Sequence, residues 1–366
     1  MTFPVRLNRL LSGDKPESRL LSVAILCLFA LVLVAPFLGA GQSFINAMAR
    51  VAILVVLVAS FDLLLGYTGI ISFAHTMFLG IGAYGVGLAS HFLGSGWLSI
   101  ILGLVVSLIV AFVMAALIGL FSMRVRAIFF AMITLAVASV FVILVTQFYQ
   151  FTGGHDGRTF QLPQVFRPAN VLVDPDVFGV AINGSTIVYY LIVAVSACCF
   201  LAMLRIVNSP FGRALKAVRE NEFRAEAIGL NVLNIRVLIN CLAACLACVA
   251  GFLSALWLRY VSPESTMGTQ VMLDILLMTV IGGMGTLYGA IVGAGIFVLA
   301  ETYLKLAIAM ASDSIGSVPV LAAVVHPDRW MFWLGLMFVL CVYYFPEGIV
   351  GRLRKRHAQR RAPPEP

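Results

Sequence analysis

An all-α, polytopic integral membrane protein of about ten transmembrane helices is the architecture this sequence predicts, on three observations. Of its 366 residues 61% are hydrophobic and only 11% charged, too few charged groups to cover a soluble globule of that length. A helix needs about 20 apolar residues to cross the hydrocarbon core, and ten segments supply them. Lysine and arginine gather on one side of those segments, as they do where cationic loops stay in the cytoplasm.

The first span, 20–39, follows Arg6, Arg9, Lys15 and Arg19. That order imitates a signal peptide, but the apolar run is too long and lacks a small-residue cleavage site, so it is expected to remain as an anchor behind a cytoplasmic segment, 1–19. Spans 44–65 and 70–92 flank GYTG, and spans 97–121 and 127–149 flank Arg124 and Arg126. A polar stretch rich in Gly, Pro and Asp, 151–185, then divides the chain and falls on the outer side. Span 186–206 runs into a charged loop, 207–234, and spans 235–257, 269–284, 287–308 and 330–349 complete a membrane domain of residues 20–350. A basic tail, 351–366, follows.

With both termini inside, 18 of the 24 lysines and arginines are cytoplasmic. The exceptions are Arg158, Arg167, Arg259 and Arg329 outside, and Arg50 and Lys305 within spans. The net charge of +8 therefore faces anionic lipid headgroups, and nucleic acid is not the expected partner. All seven cysteines lie in predicted spans, where they act as small apolar residues. Cys241, Cys245 and Cys248 share a helix face, but no His or carboxylate joins them, so no metal site is expected.

The charged segment SPFGRALKAVRENEFRAEAIGLN, Ser209 to Asn231, is helix-patterned yet sits between two spans. Ser209 can cap a helix start, Pro210 suits the first position, and Gly229 with Asn231 suits the stop. Arg213, Lys216, Arg219 and Arg224 are largely balanced by Glu220, Glu222 and Glu226, a mixture that favours docking to protein over binding an acidic polymer.

Other motifs are weaker. Gly80, Gly82 and Gly85 spell GxGxxG, but no strand precedes them and the run lies inside a span, so close helix approach is the better reading. Gly285, Gly289 and Gly293, spaced as GxxxG, invite the same reading. No GxxxxGK[ST] occurs, so this chain carries no Walker A loop. His155 and Asp156 in TGGHDG read as turn residues rather than catalysts. Ionisable residues within spans are costly, which singles out Asp62, His75, Asp274, Glu301 and Lys305. Glu301 and Lys305, one turn apart, are expected to neutralise each other. Asp62 and His75 flank GYTG near the inner mouth, Asp274 lies near the outer mouth, and all three are path candidates. Gly66 to Gly87 and Gly282 to Gly295 form two Gly-interrupted apolar regions, one on each side of the polar division, the pairing expected when two repeats line a pathway.

The charged segment resembles the coupling-helix loop of permease subunits in branched-chain amino-acid ABC importers, the LivH/LivM family, and the LivM branch in particular. GYTGIISFAH (Gly66 to His75), TGGHDG (Thr152 to Gly157), VSPES (Val261 to Ser265), GGMGTLYGAIVGA (Gly282 to Ala294) and FPEGIVG (Phe345 to Gly351) resemble that family's landmarks in its order. Arg158 stands where the family often has Leu.

The resemblance implies a type II importer-like permease with pseudo-symmetric halves in a bacterial inner membrane, with 151–185 periplasmic. It implies a LivH-like sister permease, two LivG/LivF-like ATPase subunits that bind the ATP and magnesium, and a periplasmic substrate-binding protein in which most specificity resides. No cofactor is expected on this chain, and no enzyme activity of its own. Ser209, Pro210, Gly212, Arg213, Lys216, Arg219, Glu220, Glu226 and Gly229 are then the expected ATPase-coupling residues. Asp62, Gly66, Gly69, His75, Asp274, Gly282, Gly283 and Gly285 are the expected path residues. Cargo is branched-chain or a related amino acid, with urea, short-chain amides or other carboxylates as alternatives. Composition alone also admits an ion-coupled secondary transporter, although such proteins more typically place paired charges at the bilayer midplane.

Overall fold

The computed structural model describes residues 19–38, 41–122, 127–167, 171–177, 180–315, 329–344 and 348–352. The N-terminal segment, Arg124, Arg126, Asp328, residues 345–347 and most of the basic tail lie outside the described residues, as do the side chains of Asp174, Asp176, Lys305 and Asp313.

Besides the single turn Tyr149–Thr152 and helical residues 348–352, thirteen α-helices are described. They are α1 (Arg19–Val34), α2 (Gln42–Thr68), α3 (His75–Leu93), α4 (Trp97–Ser122), α5 (Ala127–Gln147), α6 (Gly184–Val207), α7 (Pro210–Glu220), α8 (Glu222–Ala227), α9 (Val232–Leu258), α10 (Pro263–Met267), α11 (Thr269–Gly282), α12 (Leu287–Ile315) and α13 (Trp330–Tyr344). Among the described residues eight segments are long and apolar enough to cross a membrane, α10 and α11 counting together, while the apolar stretches Leu21–Phe37 and Met331–Cys341 are shorter. Eight of the ten predicted spans are matched in this way, the first and the last coincide with the two shorter apolar helices, and the chain is a multi-pass, all-α membrane protein.

One boundary moved. The predicted span at 70–92 starts five residues late, at His75, because α2 ends in a left-handed glycine cap. Gly69 adopts φ 73°, its N–H reaches the Leu65 carbonyl, and Ile70 N–H reaches that of Leu64. Residues 70–74 are apolar apart from Ser72, so hydropathy alone could not separate them from the helix that follows.

Helices α2, α3 and α9 are the most enclosed, and α4 and α5 the most exposed. Lipid tails are as apolar as leucine, so helices in a bilayer associate through close packing rather than by escape from water. Glycine makes that packing possible here. A methyl group at Gly82 would run into the Cys248 carbonyl, and one at Gly251 into the Leu79 carbonyl, so α3 and α9 meet backbone to backbone. Gly85 and Gly103 do the same for α3 and α4, which absorbs the GxGxxG match into packing. Gly289 and Gly293 lie against Gly282 and Met278 of α11, whereas Gly285 precedes α12 in the connecting turn.

Two small antiparallel pairings involve the 151–185 region, one of them reaching residues just after α9. Strand β1 (Arg158–Thr159) pairs with β4 (Tyr260–Val261), and β2 (Val171–Val177) with β3 (Val180–Asn183). Glu301 makes a cross-helix ion pair with Arg50 of α2 at 2.8 Å. The expected intrahelical pairing of Glu301 with Lys305 falls on a side chain outside the described residues.

Candidate functional site

The charged segment folds as two short helices rather than one. Ser209 caps α7, its Oγ accepting from Gly212 N–H at 3.3 Å, with Pro210 in the first turn. At Asn221 the backbone turns extended, φ −159° and ψ 107°, and the Asn221 side chain accepts from Arg224 N–H at 3.0 Å, capping α8. Gly229, at φ 87°, ends α8. Asn231 is a start rather than a stop, since its side chain accepts from Asn234 N–H at 3.1 Å and caps α9.

Spacing decides which face of α7 is held. Gly212, Leu215 and Val218 are buried at i, i+3 and i+6, and a methyl group at Gly212 would strike the Val207 carbonyl. Val218 joins Ala225 and Val232 in a small core of its own, tying α7, α8 and α9 together. Arg213, Lys216, Arg219, Glu220 and Glu226 are exposed. Glu222 is engaged with Arg236 of α9 through two hydrogen bonds of 2.9 and 2.8 Å.

Two of the exposed cations reach the membrane domain. Lys216 Nζ stands 5.4 Å from the centre of the Tyr67 ring on α2, a cation–π contact with a fully buried tyrosine. Arg219 donates to the main-chain carbonyl of Gly66 and passes along Gly69, the nearest approach to a Cβ there being 3.7 Å. Gly66 lies in the last turn of α2, where carbonyls lack intrahelical partners and the helix end carries partial negative charge, so a guanidinium is a suitable cap.

The same glycine is the meeting point of the two helix breaks. A methyl group at Gly66 would collide with the Asp62 carboxylate and the Gly285 backbone. Asp62, buried in α2, accepts from Gly285 N–H at 2.8 Å across the turn between α11 and α12. That turn is closed by Thr286 Oγ1 donating to the Gly283 carbonyl at 2.9 Å. Gly348, beyond α13, packs so tightly on Gly283 that a Cβ there would strike it. GYTG, the α7 segment, GGMG and Gly348 therefore converge on one place, although 282 positions separate Gly66 from Gly348.

Of the predicted path residues, Asp62, Gly66, Gly69, Gly282, Gly283 and Gly285 stand at this junction with Arg219. His75 begins α3, fully buried, with Nε2 2.9 Å from Ser60 Oγ and the Phe61 ring edge-on at 5.4 Å. Asp274 does not join them. It lies toward the other end of the bundle, accepts from Gln270 Nε2 at 3.1 Å, and lines a cavity of about 660 Å³.

Two residues escaped the reading of charge. Phe223 and Ile228 are 83% and 74% exposed on and just after α8, in a segment outside every span. Their signal was available: large apolar side chains stood in a polar segment whose six-residue helix is too short to bury them.

Residues 43–342 match the family model described as branched-chain amino acid transport system / permease component. The LivM permease protein of the high-affinity branched-chain amino acid transport system is 27% identical over 296 residues in Salmonella typhimurium, covering 76% of this chain and 68% of that protein. The Escherichia coli LivM is 26% identical over 312 residues, covering 81% and 70%. The Escherichia coli LivH is 25% identical over 274 residues, covering 72% and 86%. No solved structure matches.

Proposed function

Since this chain belongs to the branched-chain amino acid transport system permease component family, we propose that it forms one half of the membrane pathway of an ATP-driven importer for leucine, isoleucine, valine or related amino acids. A LivH-like sister permease supplies the other half. Two ATPase subunits hold ATP and magnesium, and a periplasmic binding protein delivers cargo. The membrane is the bacterial inner membrane, with both termini cytoplasmic, which puts α7 and α8 in the cytoplasm and the Asp274 cavity on the outer side.

The observation that best supports this reading is the double attachment of α7 to α2, through Lys216 on Tyr67 and Arg219 on Gly66. An exposed helix bonded at one end to the turn where two helix breaks meet can pass a displacement to both. ATPase closure swings α7, Arg219 carries the motion to Gly66, and the Asp62–Gly285 bond carries it on to α11 and α12.

The test is co-expression with the neighbouring reading frames, followed by ATPase measurement in nanodiscs with the binding protein empty or loaded with leucine, isoleucine, valine or urea. Stimulation by one loaded form supports the reading and names the cargo. If no ATPase co-purifies and proteoliposomes take up solute along an ion gradient, the protein is a secondary transporter instead.

A further inference from the structure

The cavity that Asp274 lines opens between α2, α6, α9 and α11, and its volume of about 660 Å³ falls within the range of small-molecule sites. Its charged lining groups are Arg50, Asp274 and Arg259. Arg50 is engaged by Glu301 at 2.8 Å. Arg259 differs: among the described residues its guanidinium has neither a hydrogen bond nor an ion pair. Desolvation pulls its pKa below the ordinary guanidinium value, yet an arginine stays charged at any physiological pH.

The backbone of Arg259 is the second observation. It caps the end of α9 at φ 55° and ψ 26°, the one non-glycine residue with positive φ among the described residues. This is where glycine commonly ends a helix, since a side chain in that conformation crowds its own backbone. Here the conformation is imposed from outside. The Arg259 carbonyl accepts from Phe160 N–H at 3.2 Å, the next two residues pair with Thr159 and Arg158, and Tyr260 Oη donates to the Asp156 carbonyl at 2.7 Å. A strap from the TGGHDG turn holds an arginine in a posture that glycine would adopt without strain, which locates the reason for arginine in its side chain.

We propose that this cavity is a low-affinity transit site for a small zwitterion, in which Arg259 receives the α-carboxylate, Asp274 faces the ammonium group, and Leu57, Ile275 and Met278 meet the apolar side chain. The site rests on the importer reading, which supplies the cargo. Guanidinium suits the carboxylate because its planar edge offers two parallel donors, and Asp274 retains acceptor capacity beyond its bond from Gln270. A site open to water and built on single charges releases what it binds, as a pathway requires.

The test reconstitutes the whole importer in proteoliposomes and measures leucine uptake per ATP hydrolysed, with leucine-loaded binding protein, for Arg259→Gly, Arg259→Gln and Arg259→Lys. Arg259→Gly relaxes the backbone while deleting the charge, so the purified complex should unfold at or above the wild-type temperature. Both Gly and Gln variants are expected to keep stimulated hydrolysis within about twofold but to lose about tenfold in uptake per ATP, with Lys intermediate. Wild-type uptake per ATP in Arg259→Gly overturns the proposal. So does uptake lost together with a lowered unfolding temperature in that variant, which assigns the residue a structural role. Failure of the loaded binding protein to stimulate the unmutated complex sinks the importer reading itself, and the transit site with it.

Discussion

Arg219 and Gly66, 153 positions apart, are joined by a bond from the guanidinium of one to the main-chain carbonyl of the other. A side chain at the end of α7 thus completes the end of α2, on the glycine that also abuts Asp62 and Gly285.

Arg219→Gln should leave ATPase subunits bound but loosen their hold on the membrane helices. Losing a charge-assisted bond predicts leucine uptake per ATP falling about tenfold in proteoliposomes, with hydrolysis retained. An unchanged ratio would show that Arg219 is not in the line of force.

Gly66→Ala inserts a methyl group between the Asp62 carboxylate and the Gly285 backbone, neither of which can swing aside. Overpacking of this kind costs about 1–3 kcal/mol, so the detergent-solubilised protein should unfold several degrees lower. An unchanged midpoint in a thermal unfolding scan would mean that the junction yields freely.

Phe223→Asp and Ile228→Asp alter side chains that are 83% and 74% exposed, so folding stability should move by no more than about 0.5 kcal/mol. Pull-down of the ATPase subunits should nevertheless fall. Full recovery of ATPase with both variants would remove α8 from the docking surface.

Gly229→Val tests geometry rather than contact. Nothing lies within 4 Å of a Cβ at this position, but φ 87° is unfavourable to a β-branched residue. A cost of about 1–2 kcal/mol falls on the α8–α9 turn. Uptake should be uncoupled from hydrolysis, with Gly229→Asn milder because Asn tolerates this region better. Equal uptake in the two variants would contradict that account.

The spans were legible because apolar runs of membrane length have few other fates, and the caps at Ser209 and Pro210 because their chemistry is local. The break at Asn221 was not: helix-favouring Arg, Ala and Glu residues flank a single Asn, and only the fold shows its side chain turned to cap α8. Glu301 illustrates a second limit. Periodicity points only to neighbours on its own helix, whereas Arg50 is brought alongside by packing of α2 on α12. The individual members of the junction could be named from sequence, Arg219 as a docking residue and Gly66 as a path residue, but not that they touch. Arg259 gave no sign of its left-handed backbone, which is imposed by a strand about a hundred residues earlier.

The glycine contacts also dictate kinematics. With backbone against backbone at Gly82 and Gly251, α3 and α9 form one stiff strut, and Gly289 and Gly293 weld α11 to α12 as another. Struts of this kind resist bending and shear, so motion of α2 against the α11–α12 strut loads the bond that pins Asp62 to the turn at Gly285. The pin is a glycine, a carboxylate and one guanidinium, and whatever pulls on α7 pulls on the pin directly.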